Sequence, residues 1–357
     1  MDQKEVIRLI KNSIFEWKPF LPITKLMKNY INQIRIAHNN ADEDEDLTEF
    51  QSKLVEETIQ SRVFEKHPPC PSSTLAFIKR FLLVLEEYKI EGHSLLYDYV
   101  SQPNSFTEDE PEYYKSYFDK YGNHLVSLVE KRELICDGTT GLRTWQAGKF
   151  LYNWLSDNNE HLPQEKRSTI VELGSGVGFT GICLFNHIRC SSSSVILTDH
   201  HNSVLRSLYQ NVKANLDGHE EKCNSGPVKN KYEVGDELNF PVVFTLNTGH
   251  TKRSLIIESL DWEQFLQNTT NHRKFSCDLV IGADIVFDIS VIPYLVGVIK
   301  IFLSDLSAKK VILANCVRNV ATNDNFMKCL ENSGLSFKIE SHTAEDGSPL
   351  NLYLIQI

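Results

Sequence analysis

Three carboxylates in this chain stand where an apolar run gives way to a turn, and their surroundings set what chemistry they can do. Glu172 lies within Thr169–Leu173, just ahead of the glycines of VELGSGVGFTG: Gly174, Gly176 and Gly178, with Gly181 completing a GxGxGxxG spacing. Glycines so placed let a backbone turn sharply and approach a ligand with no Cβ in the way. A carboxylate before that turn repels a phosphate and welcomes an ammonium group. Asp199 closes VILTD, where a carboxylate can accept hydrogen bonds from both hydroxyls of a ribose; capping the helix from Ser203 onward is the alternative use. Asp284 follows Ala283 in GADIVFD, with an aromatic, Phe287, three residues on.

The charge at Glu172 points to S-adenosylmethionine rather than a dinucleotide. Ala283 and the three glycines then belong to the cofactor wall. Trp262, after the run Ser254–Leu260, can stack on adenine while Asp261 reaches the amino edge; packing in the core competes with that reading. Trp145, in DGTTGLRTWQAGKFLYNWL, can cover the methionine end, or pack with Phe150 and Trp154. Methyl transfer to an amine needs a free, aimed lone pair. A lysine amine has a reference pKa of about 10.4, which desolvation and a neighbouring cation both lower. Asp284 is the candidate to orient that amine, and Phe287 to pack its stem or the methylated cation. Helix capping by Asp284 and core filling by Phe287 are the bland alternatives.

The elements that must position these residues alternate from about Leu134 onward. Strands are predicted at Thr169–Leu173, Val195–Asp199, Ser254–Leu260, Asp278–Ala283, Lys310–Asn315, Phe337–His342 and Asn351–Ile357. Helices are predicted at Thr144–Leu155, Phe179–His187, Ser203–Leu216, Ile289–Phe302 and Asn323–Asn332. That rhythm describes an α/β fold, a seven-stranded doubly wound sheet ending in an antiparallel hairpin. Residues 219–253 interrupt it as a long polar insertion. Its VVFTL can add a short strand, but a flexible excursion is the favoured reading.

Residues 1–133 instead read as a helical N-terminal domain. Val6–Phe15, Leu47–Phe64 and Thr74–Tyr88 carry apolar residues at helical spacing. HPPCP is a turn, and Ser72 or Ser73 the expected cap of the helix that follows. The acidic runs Ala41–Asp46 and Thr107–Glu112 are expected to be loops.

The 357 residues carry a formal charge of −10 and 41% hydrophobic side chains. An acidic surface argues against general nucleic-acid binding, which runs on phosphate neutralisation. The eight cysteines and twelve histidines show no metal-ligand spacing, so free thiols and no metal site are expected. With no long apolar run and no leader-like start, no membrane association is expected; cytoplasm and a monomer are the defaults.

TGLRTWQAG, VELGSGVGFTG, ILTDHH, ESLDW and GADIVFD together resemble the seven-β-strand methyltransferases of family 16, most of which methylate lysines in non-histone proteins. The resemblance covers about Cys136 to the C-terminus. It implies that Trp145, Glu172, Gly174, Gly176, Asp199 and Trp262 hold S-adenosylmethionine and that Asp284 opens a DxxY/F motif beside the acceptor lysine. Phe287 stands at the motif's fourth position, which removes a hydroxyl and excludes a role for an aromatic OH. Arg318, in NCVRN, matches a further position on the substrate side. HPPCPSSTLAFIKRFLLVLEEY, DGTTGLRTW and TDHHNSVLRSLYQNV are similar more narrowly to the subgroup acting on a lysine of translation elongation factor 2, which implies that factor as the protein partner. The N-terminal region would then recognise the folded substrate. A nicotinamide-dependent oxidoreductase shares the glycine loop and Asp199 but leaves Glu172 and the Asp284–Phe287 pair unexplained. A non-catalytic adaptor on the same fold, or another acceptor such as a histidine or a different protein's lysine, also fits the residues.

Overall fold

The computed structural model describes residues 2–18, 20–38, 43–102, 113–131, 139–165, 167–188, 193–216, 220–223, 239–248 and 251–357. They fall into two compact units, Met1–Glu130 and Lys131–Ile357.

The first unit holds helices α1 (Gln3–Phe15), α2 (Phe20–His38), α3 (Glu43–Glu57), α4 (Arg62–Lys66), α5 (Pro71–Glu87) and α6 (Ser94–Ser101). Phe77, Ile78, Phe81, Val84 and Leu85 form the buried stripe of α5 and meet Val6, Ile10, Met27 and Phe50 in one core. The cap of α5 is Cys70, not Ser72 or Ser73. Pro71 takes the first helical position, where its missing N–H costs nothing. The acidic run is corrected as well. From Glu43 it opens α3 rather than a loop. Ala41 and Asp42, and the run Thr107–Glu112, lie outside the described residues.

A hairpin, β1 (Tyr114–Phe118) and β2 (His124–Val129), also belongs to this unit. Its polar residues hide the strand pattern because they pair with one another. Ser116 and Ser127 hydroxyls meet at 2.7 Å, and the Tyr117 hydroxyl donates to buried Glu130 at 2.6 Å.

The second unit contains α7 (Gln146–Asp157), β3 (Thr169–Leu173), α8 (Phe179–His187), β4 (Ser194–Asp199), α9 (Asn202–Asn215), β5 (Glu220–Cys223), β6 (Val242–Thr248), β7 (Thr251–Ser259), α10 (Trp262–Gln267), β8 (Leu279–Ala283), α11 (Ile292–Ser304), β9 (Lys310–Cys316), α12 (Val320–Asn332), β10 (Ser336–Thr343) and β11 (Pro349–Gln356). Among the described residues one sheet runs β10-β11-β9-β8-β3-β4-β7-β6-β5. Its centre, β9 to β7, is parallel, and β10 and β11 close it as an antiparallel hairpin. The central strands read as unbroken apolar runs because helices cover both faces; on one of them Val171, Val280, Phe302, Phe326 and Tyr353 share a core.

All seven expected strands are present. The insertion departs from its reading as a flexible excursion: β5 and β6 extend the sheet beyond β7, with Val242 opposite Ile257 and Thr248 opposite Thr251. Val242 and Phe244 alternate into the core, which pins this register. Residues 224–238 lie outside the described residues.

Neighbours β3 and β8 are joined to strands on opposite sides, so the order reverses between them. A crevice opens at such a switch point, outside the carboxyl ends of the strands.

Candidate active site

The crevice is a cleft of about 270 Å³, near the lower end of the range for small-ligand sites (about 300–1,000 Å³). Trp145, Glu172, Gly174, Gly176, Asp199, Trp262, Ala283, Asp284 and Phe287 all line it. Gly178 does not: it is the left-handed N-cap of α8.

The glycine turn between β3 and α8 holds the floor. Gly174 has φ +63° and Gly176 φ +54°, a region that other residues enter only with strain. Added Cβ atoms would lie 2.6 Å from Ile285 Cγ2 and 3.0 Å from the Gly141 carbonyl oxygen, respectively. Both conformation and space therefore require glycine here.

Glu172 is buried, and its Oε2 has no hydrogen-bond partner among the described residues. Burial pushes its carboxyl up to about 7; Ser175, Thr180 and the Gly181 amide pull the other way, and the charge of Asp199 adds to the rise. The Gly176 amide donates to Asp199 Oδ2 at 3.2 Å, and the amides of His200 and His201 donate to Oδ1. Asp199 thus ties the glycine turn to the start of α9 while still facing the cleft.

Asp261 is the N-cap of α10, accepting from the Gln264 amide at 2.9 Å. Trp262 both lines the cleft and packs on the sheet core, so its two readings coexist. Trp145 donates from Nε1 to the Thr140 carbonyl at 3.0 Å. The guanidiniums of Arg143 and Arg318 lie over its ring at 5.1 and 4.7 Å.

Asp284 has φ +56° and is held from several sides. Its Oδ1 accepts from the Cys316 amide at 2.9 Å and Arg318 Nη1 at 3.1 Å. Its Oδ2 accepts from the Ala147 amide at 3.3 Å and Arg318 Nη2 at 3.1 Å. The helix it caps is therefore α7, whose own N-cap, Trp145, supplies no side-chain bond; it is not the helix that follows in sequence. Phe287 is 56% exposed, so it fills no core and stands at the cleft mouth.

Two contributors were not legible as such. Tyr294, in the first turn of α11, lines the same cleft and donates its hydroxyl to Glu263 at 3.2 Å. An aromatic hydroxyl therefore lines the cleft from α11, although Phe287 brings none; a tyrosine one turn into the helix after GADIVFD was the available signal. Arg318 matched a family position, but its bidentate pairing with Asp284 bridges 34 residues and no local pattern announces it.

The cleft suits S-adenosylmethionine on its own chemistry. Buried polar atoms without partners are rare and ask for a ligand or water. Here Glu172 Oε2 and, in the segment around Trp145, Arg143 Nε and Thr144 Oγ1 are such atoms among the described residues. An acceptor for a ligand ammonium and donors for a ligand carboxylate therefore share the cleft, where Asp199 would answer a ribose and Trp262 an aromatic base. When bound, the cofactor supplies an electrophilic methyl on a sulfonium; the chain's part is to bind, orient and exclude water.

A sheet in this order with this cleft at its carboxyl edge defines an S-adenosylmethionine-dependent methyltransferase. The chain belongs to the lysine methyltransferase family, which its sequence matches over residues 130–239 and 240–333. It is similar to the protein-lysine N-methyltransferase EEF2KMT of Mus musculus, 26% identical over 296 residues that cover 82% of this chain and 78% of the relative. The Homo sapiens EEF2KMT is 26% identical over 298 residues, covering 82% and 80%. The protein-lysine N-methyltransferase EFM3 of Chaetomium thermophilum is 27% identical over 335 residues, covering 85% and 89%. Among solved structures, that of M. jannaschii TYW2 in complex with AdoMet aligns over 68% of this chain and 89% of that one, at 12% identity and a TM-score of 0.38. No helix among the described residues is long and apolar enough to cross a membrane.

Proposed function

We propose that this protein methylates a lysine of translation elongation factor 2, in the cytoplasm. The cleft residues named above hold the cofactor, and Asp284 and Phe287 stand on the acceptor side. The observation that carries the reading is the buried Glu172 Oε2, without a hydrogen-bond partner among the described residues, in a cleft that Asp284, Phe287 and Tyr294 also line. Glu172 suits a cationic cofactor, and the Asp284 carboxylate with Phe287 suits an alkylamine. The choice of factor is supported by the narrower sequence likeness and by relatives named EEF2KMT. One lysine must be chosen among the many on a folded protein. The cleft's described lining residues belong to the unit Lys131–Ile357, and we assign the unit Met1–Glu130 to reading the factor's surface.

The test is mass spectrometry of elongation factor 2 incubated with the protein and isotope-labelled S-adenosylmethionine. The expected result is one lysine gaining one, two or three labelled methyl groups, each read as a fixed mass increment set by the label. Labelling of other proteins in a cell extract but not of this factor would refute the choice of substrate.

A further inference from the structure

We infer that Arg318 is the gate of the acceptor site: its guanidinium holds the place on Asp284 that the incoming lysine ammonium takes over. The inference rests on the lysine-methyltransferase reading of the cleft and names the residue that controls entry to it.

A carboxylate has about four lone-pair positions, and Asp284 uses four donors. Two of them, the Cys316 and Ala147 amides, belong to the buried ends of β9 and α7 and cannot leave without disrupting those elements. The other two are Nη1 and Nη2 of Arg318. The Arg318 side chain is 46% exposed, whereas that of Asp284 is 2% exposed. Of the groups on Asp284, Arg318 is the one that faces solvent on a long flexible stem.

Its surroundings are those of a cation site. The guanidinium pairs with the carboxylate and also lies 4.7 Å from the Trp145 ring centroid. A carboxylate beside an aromatic face recognises an alkylammonium as well as a guanidinium. Both Trp145 and Asp284 line the cofactor cleft, so a cation bound there stands at the cleft's edge.

Exchange is favoured over simple departure. Removing the guanidinium alone would leave a buried carboxylate with its charge uncompensated, which is strongly unfavourable. A lysine ammonium restores that compensation; a glutamine, an acetylated lysine or an acidic side chain does not. Arg318 therefore selects for a positive acceptor at the door. A purely structural Arg318, one that only holds Asp284 in place, makes the opposite prediction: its removal would weaken cation binding.

The experiment uses the full chain saturated with S-adenosylhomocysteine, which cannot donate a methyl group. The probe is n-butylammonium chloride, a lysine side-chain analogue, titrated by calorimetry. Arg318→Gln is expected to bind the probe about ten-fold or more tighter than wild type, a change of about 1.4 kcal/mol. Arg318→Lys, which keeps a competing cation, is expected to stay near wild type. Equal or weaker binding by Arg318→Gln, at unchanged cofactor-product affinity, would overturn the proposal. A second measurement needs no variant. In wild type with ¹⁵N-labelled arginine, saturating butylammonium should move the Arg318 guanidinium resonances toward a solvated position, and unmoved resonances would overturn the gate. Neither arm uses elongation factor 2, so failure of the substrate assignment stays distinguishable from failure of this one.

Discussion

Glu172 shows how a single side chain can be costly to the fold and useful to the site. Its carboxyl is raised from an ordinary 4.5 to about 7, chiefly by burial. A group raised in the folded state favours folding relative to its deprotonated form below the unfolded value, and that advantage is lost as pH climbs through the folded value. Stability of the protein without cofactor should therefore fall between about pH 4.5 and pH 7 and level off above. The raised value corresponds to a cost on the order of 3 kcal/mol at pH 8. Glu172→Gln removes the charge, so it should be more stable than wild type at pH 8 by a few kcal/mol at most and indistinguishable near pH 4. The same variant should bind S-adenosylmethionine more weakly, because a neutral amide cannot answer the cofactor's ammonium. Urea melts at the two pH values, paired with calorimetric cofactor titration, measure both; a variant that is no more stable at pH 8 and binds equally well would remove Glu172 from the cofactor site.

At the scale of elements, the reacting edge is a loop between β8 and α11, which is stapled by hydrogen bonds as well as packed through Ile285 and Val286. Asp284 N–H donates to the Ala314 carbonyl at 2.9 Å. The Asn315 side chain accepts from Val286 N–H at 3.1 Å and donates to Val286 O at 3.1 Å. Both Asn315 and Val286 are buried, so Asn315→Ala strands two backbone groups at a cost of about 1–3 kcal/mol each. The variant is expected to lower the melting temperature and to cut turnover by at least ten-fold (about 1.4 kcal/mol of misplacement) with cofactor affinity little changed, since Glu172, Asp199 and the glycine turn sit on other strands. Turnover equal to wild type would show that the loop keeps its geometry without the staple. The sequence announced β3, β4, β8 and β9 because strands buried on both faces must be apolar throughout, and it announced Glu172, Asp199 and Asp284 because each ends such a run. It did not announce the β1–β2 hairpin, where Ser116, Ser127 and Glu130 are buried but satisfied across the pair. Nor did it settle β6, whose pattern makes sense only once β7 lies beside it. Arg318 and Tyr294 enter the site through partners 34 and 31 residues away, a reach that no local periodicity encodes.

For the molecule as a whole, the division at Glu130 and Lys131 lets the two proposed roles be assayed apart. Every described residue lining the cleft lies between 139 and 294, and the described sheet beneath it lies entirely in the second unit. A fragment spanning 131–357 should therefore fold and bind S-adenosylmethionine with the affinity of the full chain. At a cofactor concentration of about 100 times Kd, mass action adds about 2.7 kcal/mol, which for a unit of this size raises the melting temperature by roughly 5–10 °C. If residues up to Glu130 read the substrate surface, the same fragment should lose at least about 100-fold in kcat/KM toward elongation factor 2, equivalent to about 2.7 kcal/mol of transition-state stabilisation drawn from remote contacts. Its binding of butylammonium, which makes no remote contacts, should not change. A fragment that binds cofactor normally and methylates the factor as fast as the full chain would strip the helical unit of that role, and recognition would then have to lie on the rim of the cleft, where Phe287 is exposed.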